Sequence, residues 1–238
     1  SDGGGWYNKA RGANNRSNPL IRNVRIYNND ASLGGGFANE ARDTSESNPT
    51  LINTIIEGNS ATSEGGGFRN LSNDSAVASP NFINVVISGN KAARGGGMYN
   101  EASTNSDTKP SLINSVLSGN FTTNNGGAIY NANFNPVRSE VIVTIINSIL
   151  WNNVGVPDSI ISESNNTSTI ITYSIIQSGS LDPTTDVSDP NNKIGVDPLF
   201  VMAPAASAAP TTSGDFHTMS MSPAINMGDN AANALLTD

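Results

Sequence analysis

The chain has 238 residues, with 12 Lys and Arg against 20 Asp and Glu, a formal net charge of −8 and no cysteine. A net-acidic chain without a basic run is a poor nucleic-acid binder, and the lack of thiols excludes disulfides and zinc–thiolate sites. No stretch approaches the roughly 18 apolar residues of a membrane span, so we expect no membrane insertion by this segment. The sequence also contains 35 Asn and 23 Gly, an excess that a repeat explains.

A repeat of about 31 residues runs through most of the chain. Each copy opens with a Gly-Gly-Gly or Gly-Gly-Ala triplet, followed by an apolar residue, a variable residue and Asn, as in Phe37-Ala38-Asn39. A variable polar stretch comes next and ends, in most copies, with a Pro. It is followed by an apolar burst that contains one Asn, and a second Asn lies six residues after the first. The triplets begin at Gly3, Gly34, Gly65, Gly95 and Gly126. A degenerate sixth copy covers 169–179, with Tyr173 in place of the first Asn.

The repeat predicts an all-β fold. Its apolar segments are too short for helices and are rich in Ile, Val and Thr, which indicates strands of three to five residues. About three short strands per copy, with Gly and Asn at the corners, predict a right-handed parallel β-helix of about six coils of roughly 31 residues. Asn suits the corners because it tolerates the left-handed backbone conformation, and its stacked amides can hydrogen-bond from coil to coil.

Strand alternation assigns the side chains to an inner and an outer face. The inward positions form three predicted columns: Trp6, Phe37, Phe68, Met98 and Ile129; Ile21, Leu51, Phe82, Leu112 and Ile145; Ile26, Ile56, Ile87, Leu117 and Leu150. The alternate positions of the second strand then face outward. Arg22 supports this direction, because an unpaired arginine inside a thin solenoid would be costly.

Several motifs carry a family resemblance. Gly126-Gly-Ala-Ile-Tyr-Asn131 and the Ser-Gly-Asn corners at 88–90 and 118–120 resemble the repeats of bacterial extracellular right-handed β-helix proteins, which include the polymorphic outer-membrane-protein-like, surface-anchored adhesins. The match is inexact, because Asn follows the aromatic residue by two positions here and by three in those adhesins. The segments Asp197-Pro-Leu-Phe200 and 222–229 resemble the closing part of such secreted proteins. The resemblance implies an extracellular or cell-surface location.

We expect residues 1–179 to form the β-helix repeats and residues 180–238 to form a capping or terminating segment of the same domain. The chain begins in mid-coil at Ser1-Asp2-Gly3. Because a solenoid end needs a cap, we expect the sequence to be a piece of a longer protein, whose other domains would be its partners.

Enzymes of β-helix architecture need carboxylates at equivalent positions of consecutive coils. The acids of this chain are placed in the variable loops, and the nearest constellation is Glu40 and Glu101, which Leu71 interrupts in the coil between them. We therefore predict no catalytic residues and no enzymatic activity. The alternative is a carbohydrate-active enzyme, either a polysaccharide lyase or a glycoside hydrolase.

Three low-specificity sites remain. The outward residues Tyr7, Arg69, Tyr99 and Tyr130 could stack sugar rings along one wall. The outward residues Ile52, Ile83, Ile113 and Ile146 would form an apolar stripe, which usually marks an interface unless a loop or the 180–238 segment covers it. Asp182, Asp186 and Asp189 offer oxygen ligands for a structural calcium, although the loop lacks the Gly and terminal Glu of an EF-hand; no other cofactor is expected.

The sequence as a whole predicts a non-enzymatic structural or adhesive module of a secreted or cell-surface bacterial protein. Its expected partners are other domains of a larger parent protein, a second copy of itself, or a surface polysaccharide.

Overall fold

The computed structural model describes residues 1–156 and 159–232. They form a parallel β-solenoid of about five turns with about 31 residues per turn, close to the six coils predicted. Successive turns stack in register, so that Trp6 pairs with Phe37, Phe37 with Phe68 and Phe68 with Met98. A shorter coil follows, in which Ile161 pairs with Leu181.

Four parallel sheets run along the axis, and the strands of each sheet come from successive coils. Sheet I contains β1 (Trp6–Arg11), β5 (Phe37–Arg42), β9 (Phe68–Asn73), β14 (Met98–Ala102), β19 (Ile129–Asn133), β22 (Ser159–Glu163) and β25 (Ser180–Leu181). Sheet II contains β2 (Leu20–Arg22), β6 (Thr50–Ile52), β11 (Asn81–Ile83), β16 (Ser111–Ile113), β20 (Glu140–Ile146), β23 (Thr167–Thr172) and β26 (Thr185–Asp186), and β10 (Val77–Ala78) and β15 (Asp107–Thr108) pair alongside through β20.

Sheets III and IV complete each turn. Sheet III contains β3 (Arg25–Tyr27), β7 (Ile55–Glu57), β12 (Val86–Ser88), β17 (Val116–Ser118), β21 (Ile149–Trp151), β24 (Ile175–Ile176) and β27 (Lys193–Ile194). Sheet IV contains β4 (Asp30–Leu33), β8 (Ser60–Glu64), β13 (Lys91–Ala92) and β18 (Phe121–Thr122). Beyond the coils lie a 3₁₀ turn (Ala206–Ala208) and an antiparallel pair, β28 (Phe200–Met202) with β29 (Asp215–Thr218). No helix within 1–156 and 159–232 is long and apolar enough to cross a membrane.

The inner columns form the core as the alternation predicts. Phe37, Phe68 and Met98 are fully buried, whereas Trp6 in the terminal coil is 40% exposed. The rings of Phe37 and Phe68 stack with centroids 4.8 Å apart, and Phe82 meets Phe68 edge to face at the same distance. The thin interior is therefore filled by side chains that repeat from coil to coil.

The corners follow from the backbone conformations that Asn and Gly permit. The first Asn of each burst lies in the left-handed region, with φ of 51° at Asn53 and 55° at Asn84, and Tyr173 adopts the same conformation at φ 50°. In the triplets, Gly65 has φ 65°, and a Cβ on Gly67 would lie 2.8 Å from the carbonyl oxygen of Gly97. A side chain would prevent this close approach of neighbouring coils.

A buried Asn ladder joins the coils along the axis. The Oδ1 atom of Asn90 accepts hydrogen bonds from the backbone N–H and the Nδ2 of Asn59, at 2.9 and 3.0 Å. Its own Nδ2 donates to the carbonyl of Ile56 and to Oδ1 of Asn120, both at 3.0 Å. Gln177 ends this ladder by accepting from the backbone N–H of Asn153. The buried amides of this ladder are therefore hydrogen-bonded to the coils on either side.

Residues 199–232 return along the outside of the coils and we call them the return segment. The N–H of Thr211 donates to the carbonyl of Gly89 at 2.9 Å, and Pro204 packs against Gly119. Farther along, the N–H of Asp229 donates to Oδ1 of Asn147 at 2.7 Å. The predicted capping segment 180–238 thus comprises a last coil and a segment that lies along the side; residues 233–238 lie outside the described residues.

Candidate functional site

The outer face of sheet I carries a row of charged and aromatic side chains that contact one another from coil to coil. Alternate residues of each strand point outward, because side chains alternate between the faces of a sheet. Two outward columns run along the axis: Tyr7, Ala38, Arg69, Tyr99 and Tyr130 in the first, and Lys9, Glu40, Leu71, Glu101 and Ala132 in the second. We call these two columns, with the adjoining corner residues Glu64 and Arg94, the polar wall.

Arg69 is the centre of the polar wall. Its Nε donates to Oε2 of Glu64 at 3.0 Å, and its Nη2 donates to Oε2 of Glu101 at 3.4 Å. Arg94 adds a second cation, because its Nη2 donates to Oε1 of Glu64 at 2.7 Å. The side chains of Arg69, Glu64 and Glu101 are 9, 12 and 13% exposed. Arg69 and Arg94 therefore share Glu64, and Arg69 also contacts Glu101, with Arg69 and both carboxyl groups largely shielded from water.

Tyr99 packs into the same cluster. Its ring stacks on Tyr130 with a centroid separation of 5.4 Å, and the guanidinium carbons of Arg94 and Arg69 lie 5.7 and 6.0 Å from the ring centroid. The residue is fully buried, and its hydroxyl has no hydrogen-bond partner among the described residues. Burial raises the pKa of Tyr99 far above its usual value, so this phenol stays protonated.

The pKa values of the two carboxyl groups in the second column, Glu40 and Glu101, are shifted in opposite directions. Burial raises the pKa of Glu101 above its usual range; the charge of Arg69 acts against this effect and that of Glu64 adds to it. Glu40 is also buried, which acts to raise its pKa, but hydrogen bonds from Tyr7, Arg42 and Lys9 lower it below the usual value. The Nζ of Lys9 lies 3.1 Å from Oε1 of Glu40. Glu40 is therefore held as an anion, whereas Glu101 is biased towards its neutral form.

The polar wall differs from the predicted row of exposed aromatic residues. Tyr7 is 41% exposed and Tyr130 is half-buried, but Tyr99 and Arg69 are buried. Ala38 and Arg69 separate Tyr7 from the Tyr99–Tyr130 pair. The prediction placed all four outward, which alternation supports, but it did not include the packing among residues of neighbouring coils that removes two of them from solvent.

The acids of this wall lie on strands rather than in the variable loops where the sequence analysis placed them. Glu40 lies within β5, Glu101 within β14 and Glu64 at the end of β8, because the strand continues beyond the ladder Asn. Glu64 was not among the residues singled out from the sequence. The sequence signal that could have identified Glu64 is its position, because Glu64 and Arg94 each directly precede a Gly triplet in consecutive coils. In the structure these two residues form a parallel bridge.

The predicted apolar stripe is largely covered at its centre. Ile83 and Ile113 are each 5% exposed, and Ile52 and Ile146 are half-buried. The return segment packs beside this column, since its residues 226–228 line a cavity of about 390 Å³ together with Asn114 and Asn147, which follow the stripe in the sequence. The stripe therefore exposes no continuous apolar surface in the described chain.

The three predicted calcium ligands form separate turns. Oδ1 of Asp182 accepts from the N–H of Thr184 at 3.2 Å, Oδ1 of Asp186 from Ser188 at 2.9 Å, and Oδ1 of Asp189 from Asn191 at 2.8 Å. Within 1–156 and 159–232, no group of three or more His, Cys, Asp or Glu side chains is arranged to hold a metal ion. These carboxylates stabilise the loop backbone.

The stacked parallel sheets and the buried Asn ladder define the protein as a parallel β-solenoid with laddered asparagines. Comparison with protein-family models, curated proteins and solved structures gives no match to this chain.

Proposed function

We propose that this chain is a non-catalytic structural or adhesive module of a secreted or cell-surface bacterial protein. The observation that carries the proposal is that the carboxyl groups of the polar wall are already bound by cationic side chains of the same chain. Glu64 and Glu101 are bound by Arg69, Glu64 also by Arg94, and Glu40 by Tyr7, Lys9 and Arg42. A carboxylate that is fixed by arginine inside the chain is poorly placed to transfer protons to a substrate or to bind a metal.

The regular columns support a mechanical role. Buried Asn ladders and in-register strands make each coil a template for its neighbour, so the stack is a rod whose length grows with the number of coils. The exposed faces then act as contact surfaces rather than as a cleft. The resemblance of the repeats to bacterial surface proteins supports the location, with other domains of a larger parent protein and a surface polysaccharide as partners.

The proposal is tested by incubating the folded chain with a panel of acidic and neutral polysaccharides. We expect no new reducing ends and no new unsaturated ends, together with binding of at least one of these polysaccharides in a pull-down. Tyr130→Ala should weaken that binding, because Tyr130 is the half-buried aromatic residue at the edge of the wall. The matched control is Tyr27→Ala, an exposed tyrosine on sheet III. Release of new chain ends by the unaltered protein would overturn the proposal.

A carbohydrate-active enzyme is the second candidate, and one observation favours it. Glu101 combines a raised pKa with a position beside a second carboxylate, Glu64, which are features of the acid in a glycosidase pair. If this alternative holds, Glu101→Gln abolishes the release of chain ends. The partly exposed Glu140, which pairs with Lys109, provides the control variant Glu140→Gln, which should leave the activity unchanged.

A further inference from the structure

One corner of the solenoid is marked by a column of residues with a left-handed backbone. The residue directly after each of β2, β6, β11, β16, β20 and β23 has a φ between 50° and 56°. We call these residues the corner column: Asn23, Asn53, Asn84, Asn114, Asn147 and Tyr173. In its first coils the amides form an exposed ladder, in which Nδ2 of Asn84 donates to Oδ1 of Asn53 at 2.7 Å.

Tyr173 is the exception in the corner column, because every other member is Asn. A left-handed backbone suits Asn, whose short side chain bonds locally, but it is unfavourable for a bulky aromatic residue. Residues that retain a disfavoured backbone conformation cluster at binding and active sites, where the side chain contributes something other than stability. The half-buried ring of Tyr173 therefore indicates a role beyond the fold.

The return segment forms a cavity beside Tyr173. Asn114, Asn147 and Tyr173 of the corner column line one side of this cavity of about 390 Å³, and residues 224, 226–228 and 230 line the other. The backbone of Asp229 joins the two sides: its N–H donates to Oδ1 of Asn147 at 2.7 Å, and its carbonyl accepts from Nδ2 of Asn147 at 2.9 Å. The volume lies in the range of small-molecule sites, about 300–1,000 Å³.

The lining offers uncharged hydrogen-bonding groups. In the described part of the chain, the side-chain amides of Asn226 and Asn230 and the hydroxyl of Tyr173 have no hydrogen-bond partner. Asn226 and Asn230 are exposed, so the cavity is open to solvent on their side. An amide presents donors and an acceptor in one plane, which suits a sugar hydroxyl because that group both donates and accepts.

No charged side chain lines the cavity among residues 1–156 and 159–232. Two charged residues that bond to the return segment have partners there: Nζ of Lys193 donates to the carbonyl of Pro223, and Oδ1 of Asp229 accepts from the N–H of Ala231. An anionic ligand would lose water here without a lining cation to neutralise it. A tyrosine ring with uncharged amides instead suits a neutral sugar, whose C–H groups pack on the ring while its hydroxyls bond to the amides.

We propose that the cavity between Tyr173 and the return segment binds a neutral saccharide, with Tyr173 packed against the sugar ring and Asn226 and Asn230 bonded to its hydroxyls. This deepens the proposed adhesive function and rests on it. The site is separate from the polar wall, because the wall lies on sheet I and the corner column joins sheets II and III. The two surfaces can therefore be tested independently.

The test is isothermal titration of the full chain with trisaccharides at millimolar concentration: the neutral cellotriose, maltotriose and triacetylchitotriose, and the acidic trigalacturonate. We expect at least one neutral trisaccharide to bind and trigalacturonate not to bind. Tyr173→Asn should weaken the binding at least tenfold. It should also melt at no lower a temperature than the unaltered protein, because Asn suits this backbone better. Tyr27→Asn, the same change at an exposed tyrosine of the first coil, should leave the binding unchanged.

A second variant removes a polar contact without disturbing the backbone. Asn226 has a φ of 58°, which glycine adopts readily, so Asn226→Gly should keep the fold and weaken the binding. Tyr130→Ala alters the polar wall and should leave trisaccharide binding unchanged.

Absence of binding by all the neutral trisaccharides would overturn the proposal, as would equal binding by Tyr173→Asn and the unaltered protein. Loss of trisaccharide binding in Tyr130→Ala would also overturn it, because the sugar would then lie on the wall. The proposed function is tested separately, by polysaccharide pull-down and by the release of chain ends, so the two failures are distinguishable.

Discussion

The interior of the solenoid and the polar wall are the two faces of the same strands, but different interactions determine which residues they carry. Inside, each column repeats one kind of residue, as Asn39, Asn70 and Asn100 do. On the wall, the residue type changes between most coils and is stabilised by different neighbours, such as Glu64 and Glu101 around Arg69. The comparison shows that a repeated backbone environment fixes the interior, whereas pairing between particular coils fixes the wall.

The largest effect should come from the aromatic column. Phe68 is fully buried between Phe37 and Phe82, so Phe68→Ala leaves a cavity and should lower the free energy of unfolding by about 3–5 kcal/mol. Phe134 directly follows β19 of sheet I but is 64% exposed, and Phe134→Ala should change stability by less than about 0.5 kcal/mol. Urea denaturation of both variants measures the difference. Equal losses would contradict the assignment of the two faces.

A ladder asparagine should come next. Asn90→Ala removes four side-chain hydrogen bonds and leaves buried groups of Asn59, Ile56 and Asn120 unsatisfied. We expect a loss of about 2–4 kcal/mol, measured by urea denaturation. Asn84→Gly is the matched control, because Asn84 is exposed and its φ of 55° suits glycine; it should cost less than about 1 kcal/mol. A ladder variant as stable as this control would show that the buried amides are dispensable.

The polar wall should be more tolerant than the interior. Arg69→Ala leaves Glu101 without its cation, but Arg94 still binds Glu64. We therefore expect a loss of about 2 kcal/mol, less than the value for a fully buried pair. Arg11→Ala breaks a solvent-exposed ion pair with Asp43 and should change stability much less than Arg69→Ala does. If the two variants melt at the same temperature, the wall is not a packed unit.

The smallest expected effect is on the pH dependence of stability, to which Glu40 and Glu101 contribute with opposite signs. The pKa of Glu40 is lowered in the folded chain, so its contribution to stability is present above the usual glutamate pKa and is lost as pH falls through the folded value. The pKa of Glu101 is raised, so the folded state binds its proton more tightly and stability falls as pH rises through the folded value.

Chemical denaturation between pH 3 and pH 8 therefore distinguishes the two carboxylates. The difference in unfolding free energy between the unaltered protein and Glu40→Gln should increase as pH rises. The difference in unfolding free energy between the unaltered protein and Glu101→Gln should decrease as pH rises. Parallel curves for the two variants would contradict the opposite pKa shifts.

The sequence was sufficient for the interior and insufficient for the wall. The corner asparagines, the inner columns and the replacement of Asn by Tyr173 could be predicted because each depends on a local backbone conformation that recurs every turn. The burial of Tyr99 could not, because it depends on Arg94 and on Tyr130 from other coils. The path of the return segment could not be predicted from the sequence either, because residues 199–232 carry no repeat that would assign them to a particular column.

The return segment changes how the stack must be assembled. Coils that touch only their neighbours could form and dissolve one at a time from either end. The hydrogen bond from Thr211 to Gly89 instead joins positions 122 residues apart, so it connects a later part of the chain with a coil formed much earlier. Docking of the return segment completes the native contacts of the middle coils only after the residues up to Thr211 are available. The return segment thus delays completion of the coils that it contacts and couples their unfolding.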